Sequence, residues 1–197
     1  RVAEVFCADT RLNISPKYLQ PGPAFGGSCL PKDLRAVARL AALRSVRVPV
    51  LEKVLESNEA QIESVVRRIL AHRPGTVGLV GLAFKPHTDD MRESPYVRIA
   101  KSLIGEGVKL RIYDPVVQPG LLTGSNKEQV QRMLRHLEEL LVGSLDDLAA
   151  ADLVLVNHGT IDAQRVLAWT GAGMRVLDTA GIAGVPPDTP GYEGLYW

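Results

Sequence analysis

Cys29 is the side chain whose type and neighbours most directly suggest covalent chemistry; it ends the run Gly26-Gly27-Ser28-Cys29 and precedes Leu30-Pro31-Lys32-Asp33. Glycines let a backbone approach a ligand with no Cβ in the way. Pro31 suits the first turn of a helix, where its missing N–H costs nothing. The thiol then stands at a helix N-terminus, where free N–H groups, with the cation of Lys32 alongside, favour a nucleophilic thiolate. Asp33 lies one turn along the same face, and a nucleophile beside an acid–base group is what covalent catalysis requires. The competing reading is a buried structural cysteine.

A second polar constellation runs from Gly81-Leu82-Ala83-Phe84-Lys85 through Asp89-Asp90-Met91-Arg92-Glu93-Ser94-Pro95. It leaves the carboxyl end of an apolar strand and enters a helix, the crevice in which open α/β sheets bind ligands. Lys85 and Arg92 are cations suited to phosphate. Asp89, Asp90 and Glu93 oppose them, so a solvated, salt-bridged loop is the alternative. Gly78-x-x-Gly81 lacks the spacing of a dinucleotide fingerprint. Asp114 stands where a ribose-binding acid would, and also where an ordinary Asp-Pro turn would. The four His and two Cys show no metal-ligand spacing. His72, His87, His136 and His158 read as surface or packing residues, His158 being nearest the expected crevice. Trp169 and Trp197 read as core or interface.

The elements that must position these groups divide into two expected units. Residues 1–73 read as a helical unit: a first amphipathic helix with Cys7 as filling beside Val2, Val5 and Phe6, then the Gly-rich loop, then two helices. The first follows Pro31 through Leu34, Val37, Ala38 and Ala41. The second opens at Pro49 and carries Leu51, Val54, Leu55, Asn58, Ile62, Val65, Val66, Ile69 and Leu70 at helical spacing. At 1.5 Å per residue it spans about 36 Å, long enough that part of its stripe is expected on a partner subunit; a helix bent within one subunit is the alternative. Residues 74–197 alternate strand and helix, with strands over 76–82, 109–113, 152–156 and 174–178 and helices over 94–106, 144–150 and 161–169. An inserted amphipathic helix is expected over 127–141. The alternation predicts a Rossmann-like parallel α/β fold behind a helical segment.

The composition is that of a globular protein: 197 residues, 46% hydrophobic and 23% charged, with net charge +1. There is no basic field for nucleic acid or an anionic membrane, and no apolar run of the roughly 18 residues that span a bilayer. Two cysteines are too few for a secreted disulfide scaffold, so a reducing, cytoplasmic setting is expected. The chain opens at Arg1 with neither Met nor a signal-like run, as an excised piece of a longer protein would.

In combination these segments resemble the UDP-glucose/GDP-mannose dehydrogenase family. The likeness rests on Tyr18-Leu19-Gln20-Pro21-Gly22 leading to Phe25 through Asp33, and on Gly81 through Lys85 followed by Asp89 through Pro95. It extends over nearly the whole chain and is nearest to the GDP-mannose 6-dehydrogenase branch at Asn13-Ile14-Ser15, at Thr123 through Glu128 and at Leu195-Tyr196-Trp197. The resemblance implies four-electron oxidation of a hexose C6 hydroxyl to a carboxylate with two NAD reduced, by way of an aldehyde, a thiohemiacetal on Cys29 and a thioester. It makes Cys29 the nucleophile and Asp33 the residue that handles water. It puts Tyr18, Leu19, Gln20, Pro21, Gly26 and Lys85 on the nucleotide sugar, and Lys32 and Arg92 on the cofactor. The family's amino-terminal dinucleotide domain, with the lysine and asparagine it carries upstream, has no counterpart here. The chain alone is therefore expected not to turn over.

GDP-mannose is the expected substrate, with UDP-glucose the alternative, and a homodimer through the central helices is expected. A non-catalytic nucleotide-sugar-binding and dimerisation module is the rival class. A third reading, 76–197 as an independent NAD domain, lacks the fingerprint spacing.

Overall fold

The computed structural model describes residues 2–11, 15, 19–117, 137–157 and 159–196. Tyr18, Asn13, Ile14, His136, His158, Trp197 and most of the segment expected to hold the inserted helix lie outside the described residues.

Prolines and short polar caps set where the helices start. After a short α1 (Val2–Cys7), Pro31 and Pro49 occupy the first turns of α2 (Leu30–Leu43) and α3 (Pro49–Ala71). The α3 helix stops at His72, where Arg73 turns left-handed at φ 50° and Pro74 forbids continuation. Strand β1 (Thr76–Val80) follows, then α4 (Pro95–Gly105), which Ser94 caps by accepting from Tyr96 N. Next come β2 (Lys109–Tyr113), α5 (Leu137–Leu140), a 3₁₀ turn (Leu145–Leu148) and β3 (Leu153–Val156). Last are α6 (Ala163–Gly171), capped by Asp162, then β4 (Arg175–Asp178) and β5 (Tyr192–Gly194).

All four strand pairings are parallel, in the order β2-β1-β3-β4-β5. Side chains alternate between two buried faces, as the two-residue period of a strand requires. Val77, Leu79, Leu153, Leu155 and Leu177 join Ile62, Val65 and Ile69 of α3 and Val97 and Leu103 of α4. Val80, Val154, Val156 and Val176 join Leu148, Val166 and Trp169 on the other face. Gly78 permits this closeness, since a Cβ there would stand 3.0 Å from Val154 Cγ2.

The long helix is a beam joining two environments. Its C-terminal half, at Ile62, Val65 and Ile69, is buried against the sheet and α4, whereas Leu51, Val54 and Leu55 are half-buried on the side of α2. Outward on α2, Leu40 and Leu43 remain 54% and 65% exposed.

Three expectations need correction. Cys7 is not filling on an amphipathic first helix: Val2, Val5 and Phe6 are exposed, while Cys7 is half-buried and faces a cleft beside the sheet. The helix expected over 144–150 is a single 3₁₀ turn, closed at once by the reciprocal Ser144–Asp147 capping box. A fifth strand, β5, was not expected; it is three residues bounded by Gly191 and Gly194, too short to show a period.

Candidate functional site

The chain runs outward from β1 to β2 and then returns to β3 on the other side of β1, so the strand order reverses between β1 and β3. Loops leaving the carboxyl ends of neighbouring strands part at such a point and open a crevice. Here the loop from β1 is Gly81-Leu82-Ala83-Phe84-Lys85.

Its backbone is gripped from three sides. Asp114, buried after β2, accepts from Leu82 N at 2.8 Å and Ala83 N at 3.3 Å through Oδ2. Its Oδ1 accepts from Val116 N and Val117 N, so both oxygens are committed to backbone. Asn157, after β3, donates its amide to Gly81 O at 3.3 Å and Ala83 O at 2.9 Å. The hydroxyl of Ser94 donates to Leu82 O at 2.7 Å. Behind them Thr179 donates to Val156 O and meets the buried Tyr96 hydroxyl at 2.7 Å. Burial pushes that phenol well above its ordinary range. Asp114 is thus a backbone clamp, and the strand-ending turn is the correct reading of it.

The cysteine loop docks onto this base. Gly27 N donates to Arg92 O at 3.1 Å. A Cβ on Gly26 would lie 2.5 Å from Glu93 O and 2.8 Å from Pro95 Cδ; one on Gly27, at φ +88°, would lie 2.8 Å from the Phe84 ring. Both glycines are therefore required by close approach. From α3, Asn58 holds the loop like a peptide group, accepting from Phe25 N at 2.8 Å and donating to Phe25 O at 2.9 Å.

The docking leaves Cys29 exposed at the start of α2, with Ser28 Oγ 3.8 Å from its sulfur and its carbonyl accepting from Asp33 N at 2.9 Å. The buried-cysteine alternative is excluded by that exposure. Asp33 and Lys32 are exposed and paired at 3.5 Å. Lys85 Nζ lies over the Phe84 ring at 5.4 Å from its centroid, a cation–π arrangement that holds the ammonium near the glycine loop. Asp90 takes the Arg92 guanidinium in two hydrogen bonds of 2.9 and 2.8 Å, which hold its carboxyl below the usual range although partial burial opposes this. The hydrogen bonds to Asp90 in turn raise Arg92.

Two clefts flank the junction. One, of about 720 Å³, lies between α3 and α4 and is edged by Arg35, Glu59, Arg98 and Glu93, which are paired with one another. The other, of about 750 Å³, lies past the carboxyl end of β4, between Gln20, Pro21 and Cys7 on one side and Thr179, Gly181 and Ile182 on the other. Only the second combines the expected substrate segment with the ligand-binding edge of the sheet.

Of the residues singled out in the sequence, Gly26, Cys29, Lys85 and Arg92 fall on the two docked loops, and Lys32 and Asp33 on the first turn of α2. Leu19, Gln20 and Pro21 sit on the approach to the glycine loop, Leu19 half-buried and the other two exposed. Tyr18 lies outside the described residues. Sequence reasoning missed Arg35, Asn58, Phe84 and Glu93 as supports. Asn58 carried a signal: it is a polar residue inside the apolar stripe of α3.

Comparison with known proteins bears on the same segments. Residues 1–60 match the central-domain model of the UDP-glucose/GDP-mannose dehydrogenase family, and residues 78–183 match that family's UDP binding domain. A GDP-mannose 6-dehydrogenase of Pseudomonas putida is 40% identical over all of this chain, which covers 45% of that protein. Among solved structures, a GDP-mannose dehydrogenase of Pseudomonas aeruginosa superposes with TM-score 0.82 at 38% identity, over 100% of this chain and 45% of the other. A UDP-glucose dehydrogenase of Pyrobaculum islandicum gives 0.77 at 27%, over 100% and 43%. The chain thus spans about half the length of the relatives it matches.

Proposed function

Because the chain belongs to the UDP-glucose/GDP-mannose dehydrogenase family, we propose that it supplies the nucleophilic thiol and the nucleotide-sugar seat of a 6-dehydrogenase acting on GDP-mannose. The observation that carries this reading is the docking of the Cys29 loop onto the Lys85 loop at the point where the strand order reverses.

The positions of these groups support the following division of labour. The cleft beside Gln20 and Pro21 seats the nucleotide; Tyr18 and Leu19 bind the nucleotide sugar, as the family resemblance implies, and Lys85 neutralises its diphosphate. Gly26, packed tightly against Glu93 and Pro95, fixes the path of the backbone that meets the sugar. Cys29 attacks the C6 aldehyde and holds it as a thiohemiacetal, then, after the second oxidation, holds the acid as a thioester, so the reactive aldehyde is never released. Asp33 orients and deprotonates the water that frees the carboxylate. Arg92 on the second loop and Lys32 in the first turn of α2 are exposed cations, and they fit a dinucleotide carrying a diphosphate of its own. NAD, when bound, accepts the hydrides of the two oxidation steps.

The boundary between the thiol-bearing and nucleotide-binding units is placed at residues 73 and 74, which the Arg73-Pro74 turn supports. A second copy of the chain covers the outer face of α2, where Val37, Leu40 and Leu43 are exposed. The exposed thiol disfavours a purely structural module, which has no use for one.

Titration calorimetry tests the nucleotide seat. GDP and GDP-mannose are expected to give heat, UDP less, and silence with every nucleoside diphosphate overturns the assignment. Turnover with NAD and GDP-mannose is expected to be absent from this chain alone; measurable NADH would show that the remaining length of the relatives is dispensable.

A further inference from the structure

Asp178 ends β4 with none of its surface exposed, and four donors meet its carboxylate. Oδ1 accepts from Ala180 N at 2.7 Å and Gly181 N at 3.1 Å; Oδ2 accepts from Ile182 N and the Tyr192 hydroxyl, each at 2.8 Å. A buried carboxylate is costly unless its charge is hydrogen-bonded, so three consecutive backbone amides are drawn onto one side chain. The turn passes through Gly181 in the left-handed region, at φ 73°. The carboxylate is itself anchored to the sheet, since Thr179 N donates to Val156 O and Leu195 N to Asp178 O.

The residues held in this way form one wall of the cleft of about 750 Å³, which Ala180, Gly181, Ile182 and Tyr192 all line. Asp178 is sealed behind them and has no surface to offer a ligand. Nor does its charge favour one. The described residues of the lining include no lysine or arginine, and a buried anion behind the wall repels a diphosphate. What Asp178 contributes is the shape of the wall.

We propose that Asp178 is the positioning residue of this cleft, setting nucleotide affinity by holding residues 180–182 in place. The proposal rests on the reading of the cleft as the nucleotide seat.

GDP affinity is measured by titration calorimetry on the full chain, on Asp178→Asn and on Leu103→Ala. Asp178→Asn keeps an oxygen for Ala180 N and Gly181 N, and its new amide donates to the Tyr192 hydroxyl. It strands only Ile182 N, because an amide nitrogen does not accept from a backbone N–H. GDP should then bind roughly tenfold more weakly, the equivalent of one buried hydrogen bond. Removal of an anion acting through charge alone would tighten binding, so the two effects differ in sign. Leu103→Ala opens a cavity in the core at the end of α4 that leads into β2. It should lower the melting temperature at least as far and leave GDP affinity at the parent value. Parent-like or tighter GDP binding by Asp178→Asn overturns the proposal, and so does an equal loss of affinity in both variants. A second measurement holds whether or not Asp178→Asn folds: in the parent, GDP should slow hydrogen exchange at the amides of residues 180–182 severalfold. Unchanged exchange there with GDP bound also overturns it. No heat from GDP with the parent overturns the nucleotide seat, and the role of Asp178 with it.

Discussion

Asp114 stands at the end of β2 with its four acceptor directions filled by the N–H groups of Leu82, Ala83, Val116 and Val117. Asp114→Ala would leave these donors buried without partners, each costing about 1–3 kcal/mol. The variant should lose about 3 kcal/mol or more in urea unfolding, and Asp114→Asn distinctly less. A loss under 1 kcal/mol for the alanine variant, roughly the value of one ordinary hydrogen bond, would show that the clamp is not what holds the loop. Asp90 behaves differently with pH. Its hydrogen bonds from Arg92 depress its folded-state pKa, so its contribution is present above the ordinary Asp value and lost as pH falls through the lower folded one. Between about pH 5 and pH 2 the melting temperature should therefore fall more steeply for the parent than for Asp90→Asn. The difference should be small, because Arg92 is half exposed. Candidate roles for Cys29, Lys85 and the glycines could be framed from residue type and spacing. Asp114's role could not, because the four donors that saturate it are fixed only by the fold.

At the level of elements, Pro31, Pro49, Pro95 and Ser94 announce their helices, and the apolar runs at 76–80 and 153–156 announce strands buried on both faces. What periodicity conceals is which half of a stripe meets which neighbour. The apolar positions of α3 look equivalent in sequence, yet Ile62, Val65 and Ile69 face the sheet while Leu51 and Leu55 lie toward α2. The β5 strand escaped because three residues beside a proline-rich segment carry no pattern; it is held instead by pairing with β4 and by the Arg68–Glu193 ion pair from α3. The α2 helix yields a test at this scale. Its half-covered apolar face predicts that Leu40→Asp with Leu43→Asp leaves secondary structure intact but shifts sedimentation from a two-copy species to a single copy. An unchanged sedimentation coefficient would mean that no second copy sits there.

Taken whole, the molecule brings a helical segment and a parallel sheet together so that the loops bearing Cys29 and Lys85 share one rim. The α3 beam makes this possible, since one end carries Asn58 under the glycine loop and the other is buried in the sheet's core. Among the described residues no helix is long and apolar enough to cross a membrane. The measurement that bears most directly on a shared rim is ligand protection of the thiol. Cys29 and Cys7 are alkylated together and quantified by peptide mass spectrometry, with and without saturating GDP-mannose. Cys29 should react faster than Cys7 in the free protein, and GDP-mannose should slow Cys29 at least severalfold. Equal labelling of Cys29 with and without a bound nucleotide sugar would contradict the account, because the ligand would then sit away from the sulfur.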